Sequence, residues 1–179
     1  MARSIALLRA VNVGGRKLPM AELRALCSGE LGWEEVETYI QSGNLVFRAK
    51  GGAAALEAEL EAAIERRFEL DVPVVVRTAA QWAALAAANP FAEAARDEPN
   101  RLQLVVSKGP LNADAAETLM ERADAGESVE AAGGALWFHY RDGIARSKLT
   151  PALIDKVCGS PSTGRNWNTV LKLREMAEA

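Results

Sequence analysis

Histidine is almost missing from this chain: His139 is the only one in 179 residues. A metal site built on imidazoles needs several, so His-based metal binding is excluded and no metal or cofactor is expected. Cysteine is nearly as scarce. Cys27 and Cys158 cannot staple a small secreted scaffold, and both read as reduced thiols. Aromatic residues make up 6%, without the dense basic–aromatic interleaving of an RNA-recognition motif. Positive charge is not in excess: 21 Lys and Arg stand against 24 Asp and Glu, a net of −3. A generic polyanion binder carries the opposite balance, so any nucleic-acid role needs a local basic patch. Long apolar runs are missing as well. No window approaches the roughly 20 residues of a membrane helix. The apolar run near Met1 is cut by Arg9, short of the roughly 7–15 residues of a secretory signal. These absences together point to a cytoplasmic protein with no membrane partner.

What the chain does have is an apolar fraction of 49%, enough for a sizeable core, although 34 alanines inflate it. Ser4 to Val13 is mostly apolar and reads as a buried strand. Gly14-Gly15 breaks it, and Met20, Leu23, Leu26 and Cys27 share a helical face that Gly32 ends. Val36, Thr38 and Ile40 alternate at strand spacing, Ser42-Gly43-Asn44 is turn chemistry, and Leu45-Val46-Phe47 is the returning strand. A helix carrying Leu56, Leu60, Ile64 and Phe68 leads to the strand Val74-Val75-Val76. The glutamates 57, 59, 61, 65 and 69 read as its solvated face. The order is βαββαβ, that of a ferredoxin-like unit.

Thr78 with Gln81 forms a capping-box pattern for a connecting helix, and Asn89-Pro90 stops it. The order then partly repeats. Leu102 to Ser107 is a strand, Asn112 can cap a helix containing Leu119 and Met120, and a Gly133-Gly134 turn joins two further strands. Thr150-Pro151 caps another helix, and a last one runs from about Asn166 to Met176. The fold class is therefore α+β, with two ferredoxin-like lobes related by duplication. The second lobe lacks a clear closing strand and ends in helices. The lobes are expected at residues 1–77 and 101–179, with a helical connector over 78–100. Net charge is −1 over 1–77, −5 over 78–140 and +3 over 141–179, so the basic excess lies in the C-terminal segment.

Three polar clusters are candidates for binding. Arg9, Asn12, Gly14, Gly15 and Lys17 lie where a buried strand gives way to a helix. Glycines there let backbone N–H groups face an anion, and a helix start adds positive partial charge. The same pattern fits a plain glycine turn with solvated basic residues. Ser42 and Asn44 sit in a turn where Gly and Asn tolerate positive φ, and they would be hydrogen-bonding groups if a ligand lies beside it. The third cluster comprises Ser147 and Lys148, then Thr163, Arg165, Asn166 and Thr169 leading into the last helix. Arg suits a bidentate grip on phosphate or carboxylate. Trp167 fits the core better than a stacking role.

Catalytic signatures are absent. There is no Gly-x-Ser-x-Gly elbow and no Cys-x-x-Cys pair. Cys27 lies on an apolar helix face, Cys158 has no activating partner in sequence, and His139 shares a strand face with Trp137 and reads as a structural or exposed residue rather than a lone general base. Whether the chain catalyses a reaction stays open on these grounds.

The polar clusters together resemble a bacterial family, domain of unknown function 1697. The matching segments are Leu8-Arg9-Ala10-Val11-Asn12-Val13-Gly14-Gly15, Thr38-Tyr39-Ile40-Gln41-Ser42-Gly43-Asn44, Ser147-Lys148-Leu149, and Thr163-Gly164-Arg165-Asn166-Trp167-Asn168-Thr169. The resemblance implies a cytosolic α+β protein with two ferredoxin-like lobes, and it supplies no reaction. It weights the clusters toward function, because polar residues on loops serve function more often than packing. The expectation is a phosphate-bearing small molecule, such as a nucleotide or sugar phosphate, bound where loops of the two lobes meet. One alternative is a nucleic-acid-binding module. Another is a structural or interaction protein, a homodimer among its forms, whose polar loops only hold the lobes together.

Overall fold

The computed structural model describes all 179 residues, and no helix in it is long and apolar enough to cross a membrane. The chain divides into two compact units, Met1–Trp82 with Leu173–Ala179, and Ala83–Lys172. The connector expected over 78–100 falls across that division.

The first unit is built on strands β1 (Ser4–Leu8), β2 (Glu34–Thr38), β3 (Asn44–Arg48) and β4 (Val74–Thr78). They form one sheet in the order β2-β3-β1-β4, with every neighbouring pair antiparallel. Helix α1 (Met20–Ala25) continues into a π-helical turn over Leu26–Glu30, and α2 (Ala53–Phe68) runs from β3 to β4. Leu56, Leu60, Ala63 and Ile64 of α2 face Ala6, Leu8, Phe47, Val74 and Val76 of the sheet in one apolar core. Trp33 stacks on Phe47 at 4.1 Å between ring centroids and donates its indole N–H to Glu59 at 3.0 Å.

The glutamates of α2 are not simply a solvated face. Glu57 is buried and accepts the Val76 amide at 2.9 Å, while Glu61 accepts that of Val74 at 2.8 Å. Edge strand β4 would otherwise present these N–H groups unpaired. Helix periodicity puts the carboxylates beside the edge, and that proximity is tertiary, so residue type alone did not reveal it. The capping box forms as expected: Thr78 N–H donates to Gln81 Oε1 at 2.9 Å, and Gln81 N–H to Thr78 Oγ1 at 3.1 Å. It opens α3 (Ala79–Ala87).

In the second unit α4 (Ala92–Asp97) precedes the strands β5 (Leu102–Ser107), β6 (Glu127–Ala132), β7 (Ala135–Tyr140) and β8 (Ser162–Asn166). Their order is β6-β7-β5-β8, again antiparallel throughout, which repeats the first sheet strand for strand. Helices α5 (Ala115–Arg122) and α6 (Pro151–Cys158) cover one face, with Leu119 and Ile154 packed on Leu136, Phe138 and Tyr140. Thr150 Oγ1 accepts the Leu153 amide at 3.2 Å, Pro151 takes the first helical position, and Gly159 closes α6 at φ +86°. The last helix, α7, spans Trp167–Glu178.

The sheet corrects one expectation. The second lobe does have a closing strand, β8, paired along β5 from Ser107–Ser162 to Gln103–Asn166. Its sequence, Ser-Thr-Gly-Arg-Asn, has neither β-branched richness nor apolar alternation. Register with β5, not local propensity, makes it a strand. Asn112 also differs from expectation. It does not cap α5, which starts after Asp114, and its side chain instead donates to Val157 O at 2.9 Å.

Candidate functional site

The first two polar clusters meet at one end of the first sheet. Beyond Leu8 the chain turns out of the sheet, with Ala10 and Asn12 both at positive φ, 54° and 56°. Asn accepts this conformation more readily than most residues. Asn12 then uses its whole side chain. Its amide group donates to Leu18 O at 3.0 Å and Gln41 O at 2.6 Å, and its carbonyl oxygen accepts the Leu18 amide at 2.9 Å. A single residue therefore closes its own loop and ties it to the β2–β3 hairpin. A second bond, Leu8 N–H to Gly43 O at 2.8 Å, runs between the same two segments.

Gly14 and Gly15 have φ of 57° and 82°, and Arg16 N–H closes back on Val13 O at 3.1 Å. This is a type I′ turn, whose two central residues both need positive φ. The turn lies well ahead of α1, which begins at Met20 and has six residues. The expected partnership of glycine loop and helix start is therefore not formed, because Lys17, Leu18 and Pro19 intervene. What remains is an exposed loop tip. The amide protons of Gly14, Gly15 and Lys17 reach no protein acceptor, and the Lys17 side chain is exposed and outside every ion pair. Arg9 stands half-buried at the base of the loop, its own amide held by Pro73 O at 3.0 Å. Arg16 braces the loop from behind, donating to Ala10 O at 3.0 Å and Asp71 O at 2.5 Å.

The hairpin residues divide in role. Asn44 is fully buried and donates to Tyr39 O at 2.9 Å and Ser42 Oγ at 3.0 Å. It is a turn residue, not a surface donor. Ser42 is exposed at the tip. Gly43 has no room for a side chain, since a Cβ there would stand 2.7 Å from Leu8 Cβ.

The third cluster does not converge in the second unit. Ser147 donates to Glu127 Oε1 at 2.6 Å on β6, and Lys148 pairs with Asp124. Arg165, Thr163 and Asn166 lie on β8, the opposite edge of the sheet, about 14 Å away by three strand spacings. Arg165 is buried and donates to Thr163 Oγ1 at 2.7 Å and Gly164 O at 2.8 Å. Burial lowers its pKa to about 10, so it stays charged at neutral pH. Asn166 Oδ1 accepts the Thr169 amide at 3.0 Å and so caps α7. Trp167 packs near Trp137, centroids 5.8 Å apart.

Burial pushes the Cys27 thiol up to about 12, with Glu59 adding to it, and the Cys158 thiol up to about 11, with Asp155 adding to it. Neither is a nucleophile in this state. No group of three His, Cys, Asp or Glu side chains could hold a metal ion.

One constellation escaped the sequence reading. His139 Nε2 lies 2.9 Å from Glu98 Oε2 beside a cavity of about 580 Å³ lined by Pro90, Phe91, Glu93 and Arg141. The partners are 41 residues apart, and no spacing rule links them.

Residues 1–137 match the family described as "Protein of unknown function (DUF1697)". The loop-tip residues and the hairpin lie inside that span, and the third cluster lies outside it. Among solved structures the chain is similar to the conserved bacterial protein SP0830 from Streptococcus pneumoniae. The identity is 25%, coverage is 100% of this chain and 99% of that one, and the TM-score is 0.79. No curated protein matches the chain.

Proposed function

The chain belongs to the DUF1697 family, and from that premise we propose that it binds a phosphate-bearing small molecule at the loop end of its first sheet. The observation that carries this reading is the Asn12 clasp, 2.6 Å to Gln41 O and 2.9–3.0 Å to Leu18. It holds a glycine turn with unclaimed amide protons beside Lys17, on the loop that Arg9 opens, and ties that loop to the hairpin that carries Ser42. Backbone N–H groups in turn conformations form concavities that suit anions, and a lysine supplies a full charge with three donors. The scaffold is read as ferredoxin-like, a reading supported by the βαββαβ order and the β2-β3-β1-β4 antiparallel sheet. Stacking of nucleic-acid bases on the strand aromatics is disfavoured, because Phe47, Trp137 and Tyr140 are buried and Tyr39 is half-buried.

The test is calorimetric titration of the protein with pyrophosphate and with ADP at low salt, alongside Lys17→Ala and Arg9→Ala. Lys17→Ala is expected to weaken binding about tenfold, the factor of one charge-assisted contact, and to leave the melting temperature unchanged. Absence of binding below about a millimolar, a dissociation constant near the weak end of useful affinity, overturns the proposal. So does equal affinity in the Lys17→Ala protein.

A further inference from the structure

The cavity beside His139 lies in the second unit and takes no part in the anion site. Strand β7 puts His139 on the sheet face opposite Phe138 and Tyr140, away from α5 and α6. Its imidazole is 12% exposed. Glu98 holds it, with Oε2 at 2.9 Å from Nε2, and Glu98 is itself fixed by Arg101, whose guanidinium reaches Oε1 at 3.2 Å. The same guanidinium donates to Arg141 O at 2.5 Å, which ties the end of β7 to this network. A carboxylate accepts, so Nε2 is the donor of this pair, and in that tautomer the lone pair lies on Nδ1. Nδ1 has no partner in the protein and is not sealed off. The Phe91 ring stands 5.9 Å from the imidazole at 52°, and Pro90, Ala92 and Ala94 add apolar wall. Arg141 also lines the cavity.

We propose that this cavity binds a small oxo-heteroaromatic ring, of the oxopyrimidine or oxopurine class, that presents an N–H beside a C=O. The fit is chemical. Nδ1 accepts the ring N–H, Arg141 donates to the neighbouring carbonyl, and Phe91 with Pro90 covers the ring. A volume of about 580 Å³ holds a ring of this size within the usual range for ligand pockets, roughly 300–1,000 Å³. Glu93 and Glu98 on the lining disfavour a phosphate here, so the free base binds better than its nucleotide. This selectivity is opposite to that of the first unit's loop site, so the two sites separate experimentally.

The single histidine makes the test clean, since every imidazole signal in the protein belongs to His139. Uracil and hypoxanthine are titrated into the full chain while the imidazole nitrogens are followed by long-range proton–nitrogen NMR. 1,3-Dimethyluracil, which lacks the N–H, is the control. Uracil or hypoxanthine should move Nδ1 with little change at Nε2. Dimethyluracil should bind at least tenfold more weakly, the factor of one lost hydrogen bond. His139→Gln, which retains an acceptor, should keep more affinity than His139→Phe. Equal binding of dimethyluracil overturns the proposal, and so does an Nδ1 signal unmoved by either base at millimolar concentration. Both outcomes are read on the unmodified chain and do not depend on a variant folding.

Discussion

Asn12 donates to Gln41 O at 2.6 Å while it both donates to and accepts from the backbone of Leu18. One side chain thus fixes two loops from different parts of the sequence. Leu18 is fully buried, so its peptide groups have no solvent to fall back on. Asn12→Ala should cost about 3 kcal/mol, from lost hydrogen bonds near 1 kcal/mol each plus the left-handed backbone that Ala disfavours. Asn12→Gly should cost less, because glycine accepts φ of 56° freely. Urea unfolding of both variants tests the order. An Asn12→Ala protein as stable as wild type would mean the amide is not committed to the loop, and would return it to the list of ligand groups.

Two glycines of the same region should answer very differently to alanine. Gly43 has φ of 86°, and a Cβ there would meet Leu8 Cβ at 2.7 Å and Val11 Cγ2 at 2.8 Å. Leu8 Cβ cannot swing aside, so backbone must shift. Gly43→Ala should cost about 4 kcal/mol from overpacking and backbone strain together. Gly14 has φ of 57° with nothing within 4 Å of the added atom, so Gly14→Ala should cost only about 1 kcal/mol. Thermal melts distinguish the two. If Gly14→Ala leaves stability nearly intact but weakens pyrophosphate binding, the loop-tip conformation serves the ligand and not the fold.

Most of the fold was legible because its signals are local. Apolar periodicity located β1, α2 and β4, and the Thr78–Gln81 and Thr150–Pro151 caps start helices where the residues said they would. The misses in strand and edge pairing are tertiary. Strand β8 is held by register with β5, although Ser-Thr-Gly-Arg-Asn has no strand pattern of its own. Glu57 and Glu61 pair with the edge of β4, and nothing in a run of glutamates says which of them an edge strand will use. The candidate site shows the same split. Arg9, Lys17, Gly14, Gly15 and Ser42 were singled out from residue type, and they lie on the loop after β1 and on the β2–β3 hairpin that Asn12 ties together. Asn12 and Asn44 have the same polar character, yet their donors are spent inside the fold, on backbone carbonyls and, for Asn44, also on Ser42 Oγ. The His139–Glu98 pair was missed because its partners come from β7 and from the residue after α4.

Arg165 is a test of whether a buried guanidinium belongs to the fold. It holds Thr163 Oγ1 at 2.7 Å and Gly164 O at 2.8 Å while burial lowers its pKa. Removing one member of a buried charged network is among the few changes that cost several kcal/mol. Arg165→Ala should therefore lower stability by about 2 kcal/mol or more, measured as a shift of the urea midpoint at constant slope. A neutral result would show that the fold does not need the charge, and would argue that the guanidinium is kept for a ligand.

Ser147 and Glu127 give a pH signature that decides what Ser147 is for. Burial of the Glu127 carboxylate opposes ionisation, but hydrogen bonds from Ser147 Oγ, the Ala125 amide and its own amide outweigh it, so the folded pKa lies below the ordinary value. The carboxylate accepts Ser147 at 2.6 Å and Ala125 at 2.8 Å. A folded pKa below the unfolded one means that the unfolded chain binds more protons between the two values. Stability from this group is then fully present above the unfolded glutamate pKa of about 4.3, and is lost as pH falls through the folded value. Ser147→Ala should raise the Glu127 pKa and move the onset of acid destabilisation to higher pH. Glu127→Gln should flatten that part of the profile, and in its background Ser147→Ala should have no further pH-dependent effect. Carbon-detected titration of the Glu127 carboxyl reads the shift directly. If Ser147→Ala leaves that titration unmoved, the hydroxyl is not what holds the carboxylate. Ser147 would then count as an available donor at the edge of β6, and the third polar cluster would regain a binding role that its present hydrogen bonds deny it.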